Sequence, residues 1–275
     1  MKVIILAAGY GTRLEKDIKN DPKQRYKHLL GIPKPLFPVG GECLISRWIS
    51  ILKGIREDSD CKTNIDKIIL LTNHHFVGAF STWAKQWAGT VEVLDDGTTT
   101  NETRMGAVAD IEFCIEYFKI DDDILIIGGD TLFYKDFDLQ CFLNEFYSKN
   151  LNSLGGALVT CYHCKDSDTK RSGILELDKE NKVVAFLEKP DPDSTSSRWA
   201  CPCFYVFSRK SSQLIAEFLR EKMNAPLEEK DAPGHLIKFL QGKVPMYAVP
   251  LKSGRFDIGH LETYIECDQY FSDSS

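Results

Sequence analysis

Leu6-Ala7-Ala8-Gly9-Tyr10-Gly11-Thr12-Arg13-Leu14 follows directly on the apolar run Val3-Ile4-Ile5. The run reads as a buried strand, and it breaks into small residues and two glycines. Gly9 and Gly11 lack the Cβ atoms that would hold a bound group away from backbone N–H donors. Arg13 adds a permanent positive charge with a fork of donors. Strand, glycine-rich turn and arginine together describe a cradle for phosphates. The spacing is neither G-x-G-x-x-G nor G-x-x-x-x-G-K-[ST], so the dinucleotide and P-loop readings do not apply. Gly31-Ile32-Pro33-Lys34-Pro35-Leu36 strengthens the cradle. Prolines on both sides of Lys34 restrict the backbone there, which suits a placed charge.

The chain has 275 residues, 43% hydrophobic and 27% charged, with a net charge of −6. That is ordinary globular composition and long enough to bury a core without disulfides. An acidic total argues against nucleic acid as the partner. Yet residues 1–35 carry a local balance of +5, a distribution that fits a polyanionic small ligand bound at one place. Nine cysteines, an odd number without a repeated C-x-x-C knuckle, fit reduced thiols rather than a metal cluster or a disulfide framework. Cys43, Cys114, Cys141 and Cys267 fall at apolar helical positions and are expected in the core. The strand starts immediately after Met1-Lys2, so no signal peptide is expected. No apolar run approaches a membrane span, and a cytoplasmic location is expected.

Periodicity predicts helices around 44–52, 76–87, 105–118, 137–148, 210–224, 233–241 and 261–271, and strands at 66–72, 90–94, 123–128, 154–161, 199–208 and 244–249. A β-hairpin is expected from 171–178 and 182–190 around Asp178-Lys179-Glu180-Asn181. The fold class is α/β: a doubly wound, mostly parallel (Rossmann-like, GT-A-type) mixed sheet with helices on both faces and a smaller β-hairpin region. His74-His75 ends a strand with no evident partner for a metal. Gly106 falls in a predicted helix start, where glycine costs about 1 kcal/mol against alanine and close backbone approach to a flat ring would explain it. Asp130 ends the strand Ile124-Leu125-Ile126-Ile127-Gly128-Gly129. An acid there lies on the ligand edge of an open sheet and suits a hard cation, or simply forms a turn. Asp121-Asp122-Asp123 precedes the same strand and so lies at the opposite edge.

Leu6–Leu14 followed by Pro33-Lys34-Pro35-Leu36 resembles the signature of the sugar-1-phosphate nucleotidylyltransferases, the pyrophosphorylases that make nucleotide sugars. The resemblance extends over nearly the whole chain. It implies a nucleotide-binding half, 1–160, and an acceptor-binding half, 161–275, of a single domain. Leu6, Ala7, Ala8, Gly9, Gly11, Thr12, Arg13, Lys34 and Gly106 would contact the nucleotide, Gly106 packing on the base. Glu188-Lys189-Pro190 matches the family's Glu-Lys-Pro motif, with Glu188 on sugar hydroxyls, Lys189 on the acceptor phosphate and Gly173 touching the sugar through its backbone. Asp130 and Asp257, the latter in Arg255-Phe256-Asp257-Ile258-Gly259, would bind Mg²⁺. Arg13, Lys34, Asp130 and Lys189 are the expected catalytic residues.

The implied reaction is nucleotidyl transfer from a nucleoside triphosphate to a phosphorylated small molecule, with pyrophosphate leaving. Homo-oligomers are compatible with this, and neither nucleic acid nor membrane is required. Two departures stand out. Residues 15–30 form a longer spacer than expected, read either as a basic flap or as an exposed loop. Cys201-Pro202-Cys203 replaces small residues at the acceptor side, which leaves open a hexose 1-phosphate, phosphocholine or a phosphonate. Hexapeptide repeats of a C-terminal β-helix are not seen. An inactive nucleotide-sensing homologue and a glycosyltransferase of related fold are the rival readings.

Overall fold

The computed structural model describes residues 1–57, 63–87 and 89–273. Its strands in chain order are β1 (Lys2–Leu6), β2 (Pro38–Val39), β3 (Glu42–Cys43), β4 (Lys67–Thr72), β5 (Val91–Asp95), β6 (Ile124–Gly128), β7 (Thr131–Phe133), β8 (Ala157–His163), β9 (Gly173–Leu177), β10 (Val183–Glu188), β11 (Trp199–Cys201), β12 (Phe204–Phe207), β13 (Met246–Leu251) and β14 (Arg255–Asp257). The apolar runs β1, β4 and β6 lie side by side in parallel, with β5 outside β4. Strands covered on both faces must be apolar throughout rather than alternating, and β6 is buried along its whole length.

Helices cover both faces. Ile5 and Val3 face one core, shared with helices Leu44–Glu57, Leu139–Ser148 and Leu261–Ser272. Ile4 faces the other, shared with helices Ala107–Phe118, Leu214–Glu221 and Pro233–Gln241. The sheet is less parallel beyond β6: β12 runs antiparallel to β6 and β8, and β9, β10 and β11 are also paired antiparallel. Only β13 joins β8 in parallel.

The segment 199–207 is one bent strand with an interruption. Between the pairs Ala200↔Tyr162 and Tyr205↔Val159, its register against β8 slips by two. Pro202, which has no N–H to give a ladder, sits in that bulge. On its other side this strand meets β6 below the bulge and β9 above it. The end of β6 and the beginning of β9 therefore flank the same bulge, with Gly128 N–H donating to the Cys203 carbonyl at 2.8 Å and Gly173 paired to Cys201. A sheet split in this way leaves a crevice beyond the strand ends.

The structure departs from the sequence pattern at several elements. The helix over 105–118 begins at Ala107, and Gly106 precedes it with φ +94° and ψ +148°, a conformation that L side chains rarely adopt. The helix expected over 210–224 divides into Arg209–Ser212 and Leu214–Glu221. The strand expected over 154–161 starts at Ala157, because Leu151–Leu154 is a helical turn. Cys141 is exposed and Cys43 is half-buried, whereas Cys114 and Cys267 are in the core. Residues 15–30 are α-helical only at their start, and 21–28 form a largely exposed run of turns, as the exposed-loop reading expects. Most of the first part is helix Thr12–Asn20, anchored by buried Leu14 and Ile18, and Asp17 accepts from Leu261 N–H at 3.3 Å. No helix among the described residues is long and apolar enough to cross a membrane.

Candidate active site

The glycine turn leaves β1 at Leu6 and enters helix Thr12–Asn20 through Gly11, whose φ of +66° favours glycine. Against it lies Lys34, the first residue of a short 3₁₀ turn set by Pro33 and Pro35. A Cβ on Gly11 would touch the Lys34 stem at 3.7 Å, so turn and lysine are packed together. Gly129 is closer still: a Cβ there would come within 2.6 Å of the Leu6 carbonyl oxygen, and its N–H donates to that oxygen at 2.9 Å. Glycine at 129 thus lets the end of β6 lie against the end of β1, and Asp130 emerges beside the cradle.

The result is a hollow of about 90 Å³ lined by Leu6, Ala7, Gly9, Gly11, Lys34, Pro35 and Asp130. A larger cavity of about 310 Å³ shares Gly9, Gly11 and Lys34 with it and extends past Thr12, Leu14, Phe37 and Phe76 to Asn101. Lys34 Nζ lies 3.4 Å from Asp130 Oδ2. Ala8 is held from behind, its carbonyl accepting from Asn73 Nδ2 at 2.8 Å. Arg13 projects into solvent from the first turn of its helix and is not part of either cavity wall.

Asp257 reaches the same place from 127 residues further on. β14 pairs antiparallel with β7, setting Asp257 opposite Thr131, and Ile258 N–H donates to the Asp130 carbonyl at 3.0 Å. Both carboxylates are substantially exposed, and no group of three or more His, Cys, Asp or Glu side chains gathers as a cation cage among the described residues. Two carboxylates are hard oxygen donors of the kind magnesium takes, one or two from protein with water and phosphates completing the shell.

Arg255 is a site neighbour that the sequence alone does not mark. Its guanidinium donates from Nη2 to Asp257 Oδ2 at 3.0 Å and from Nη1 to Thr131 Oγ1 at 3.1 Å. Burial alone would lower its pKa, but Asp257 first, then Tyr162, and last Asp130 reverse that and hold it charged. Its one trace in the sequence is spacing: arginine two residues before Asp257 lies on the same side of a strand.

Glu188 ends β10 opposite Gly173, beside the bulge. Lys189 follows with φ +47°, a conformation uncommon for a non-glycine residue, and its Nζ lies 3.6 Å from Glu188 Oε1. The space a Cβ would fill on Gly173 is taken by the Phe186 ring, at 2.2 Å from Cζ. Packing within the chain therefore already demands glycine there. Gly106 is similar. A Cβ on it would lie 2.9 Å from the Asp231 Cα, and Asp231 Oδ1 accepts from Ala107 N–H at 3.0 Å while Oδ2 accepts from Arg104 Nε at 3.1 Å.

Other candidates have structural partners, although His75 also lines the larger cavity. His74 Nδ1 pairs with Asp95 Oδ2 at 2.6 Å, and His75 packs edge-on against Phe76. Asp122 meets the amino terminus at 2.9 Å and Asp121 pairs with Arg209, at the edge remote from the crevice. Burial pushes the thiols of Cys161 and Cys203 up to about 12, which disfavours the thiolate form.

The open mixed sheet, with a hollow of about 90 Å³ at its strand ends, defines an α/β protein of the doubly wound kind. The chain belongs to the nucleotidyl transferase family, whose model matches residues 2–274. It is 26% identical over 277 aligned positions to a glucose-1-phosphate adenylyltransferase of Fervidobacterium nodosum, covering 96% of this chain and 59% of that protein. It is 25% identical over 273 positions to the bifunctional protein GlmU of Methanocaldococcus jannaschii, covering 99% of this chain and 55% of that protein. The chain thus spans little more than half the length of these relatives. Among solved structures, a UDP-glucose pyrophosphorylase complexed with UDP-glucose superposes with TM-score 0.72 at 14% identity, covering 100% of this chain and 99% of that one. A proposed glucose-1-phosphate thymidylyltransferase of Bacillus anthracis superposes with TM-score 0.73 at 20% identity, covering 99% and 96%.

Proposed function

We propose that this chain transfers the nucleotidyl group of a nucleoside triphosphate to a sugar 1-phosphate or a similar phosphorylated small molecule, releasing pyrophosphate. The observation that carries this reading is the meeting of Lys34 and Asp130 at the glycine turn, 3.4 Å apart and lining one hollow. Family membership supports it.

The acceptor phosphate is largely dianionic at neutral pH, its second pKa being about 6. It attacks the α-phosphorus without needing a proton removed, so the chemistry asks for no catalytic His or Ser. The obstacle is repulsion between polyanions and charge on the departing pyrophosphate, and the remedy is positioning and fixed cations. In this reading the backbone of Ala7 to Thr12 cradles the triphosphate. Lys34 turns from Asp130 toward the α-phosphate, and Arg13, exposed at the helix start, folds over the leaving phosphates. Lys189 holds the acceptor phosphate, and Glu188 bonds to its hydroxyls. Asp130 and Asp257 would hold Mg²⁺. When bound, the ion supplies positive charge to the phosphate oxygens.

Thermal shifts with ATP, UTP, CTP, dTTP and GTP in Mg²⁺ test the nucleotide half. A cognate nucleotide at 100 times its Kd stabilises by about 2.7 kcal/mol, a rise of several degrees. Pyrophosphate release with a panel of sugar 1-phosphates, phosphocholine and phosphonates then tests the acceptor half. A flat response to all five nucleotides contradicts the proposal.

A further inference from the structure

The proposed reaction leaves Arg255 without a task, yet it is the most firmly placed cation near the two acids. Asp257 Oδ2 is engaged by its Nη2 at 3.0 Å. Asp130 Oδ2 is engaged in parallel by Lys34 Nζ at 3.4 Å. Each carboxylate of the pair therefore has its own basic partner in the free protein, and two negative charges face two positive ones.

The two cations differ in freedom. Lys34 ends a flexible four-carbon stem, and an ammonium can swing to a new anion. Arg255 cannot. Its side chain is only 15% exposed, Nη1 is tied to Thr131 Oγ1, and its guanidinium carbon lies 5.8 Å from the Tyr162 ring centre. Its Nε is buried without an acceptor among the described residues. A divalent ion entering alone would meet a carboxylate already satisfied and a fixed guanidinium charge nearby. A divalent ion entering with a triphosphate meets surplus negative charge instead, and the balance reverses.

We propose that the fixed charge of Arg255 keeps divalent metal off Asp130 and Asp257 until nucleotide phosphates arrive. This rests on Asp130 and Asp257 being the metal ligands of the reading above.

Binding of Mn²⁺ alone to the intact chain, followed by electron paramagnetic resonance with and without a non-hydrolysable triphosphate analogue, tests it. The wild type is expected to bind Mn²⁺ weakly until the analogue is added. Arg255→Met removes the charge and keeps the stem, and is expected to bind Mn²⁺ at least about tenfold tighter without nucleotide. Arg255→Lys, which keeps a cation, should stay within a few-fold of wild type. If the methionine variant does not fold, Arg255→Gln, which retains a donor for Thr131, carries the same expectation. Unchanged or weaker Mn²⁺ affinity in the neutral variant overturns the proposal. Asp257→Asn and Asp130→Asn separate this from failure of the functional reading. If both leave Mn²⁺ binding with the analogue intact, the acids are not ligands. If they abolish it while the neutral variants match wild type, only the role given to Arg255 is lost.

Discussion

Asp110 is the residue whose surroundings conflict most with its chemistry. It lies in the first turn of helix Ala107–Phe118, almost wholly buried, and its Oδ1 has no hydrogen-bond partner. Burial, with Asp96 and Asp231 as like-charged neighbours, pushes its carboxyl up to about 8. The folded pKa lies above the unfolded value of about 3.9, so the folded state binds more protons between the two. Stability should fall as pH climbs from about 4 to about 8 and level off above. Asp110→Asn should raise Tm by several degrees at pH 8.5 and by less at pH 5; an equal gain at both pH values would contradict this origin. Gly106 lies beside the same acids. Gly106→Ala must place a Cβ against Asp231 at φ +94°, and should cost about 1–3 kcal/mol in denaturant unfolding. A neutral result would mean that Asp231 can move away from this glycine.

At the scale of elements, the pairing of β7 with β14 is the short contact on which the proposed function depends most. Three residues on each side bring Asp257 beside Asp130. Phe256, buried between them, packs on Tyr134 with ring centres 4.2 Å apart. Phe256→Ala should cost about 3–5 kcal/mol. Activity measured well below the variant's melting temperature should still fall, because the strand that aims Asp257 has lost its anchor. Full activity in the folded variant would show that the turn at 258–259 places Asp257 unaided.

This pairing also marks a limit of reading from sequence. Both tripeptides are visible as motifs, but nothing local says that residues 124 apart share a ladder. The bulge at Cys201-Pro202-Cys203 shows the same limit: a proline between cysteines is legible as an interruption, but its meeting with the ends of β6 and β9 is not. Cys141 is a different case. The buried stripe of its helix is Leu139, Phe142, Leu143 and Phe146, and position 141 falls off that stripe, so spacing alone could have placed it outside. Arg255 escaped notice because an arginine beside a matched motif looks solvated until its partners are known.

For the molecule as a whole, the parallel core was legible because β1, β4 and β6 are uninterrupted apolar runs that can only be buried on both faces. The glycine turn, Lys34 and Asp130 were legible because each follows a strand or a proline bracket that fixes its position. The chain then brings segments near positions 9, 34, 130 and 257 to the ends of those strands. The account stands on these groups acting together on phosphates. The most direct measurement is pyrophosphate release by folded Lys34→Ala, Asp130→Ala and Asp257→Ala variants, with the nucleotide and acceptor that the wild type uses. Each is predicted to lose on the order of 10²–10³ in kcat. Wild-type rates in these three variants, with melting temperatures unchanged, would contradict the account.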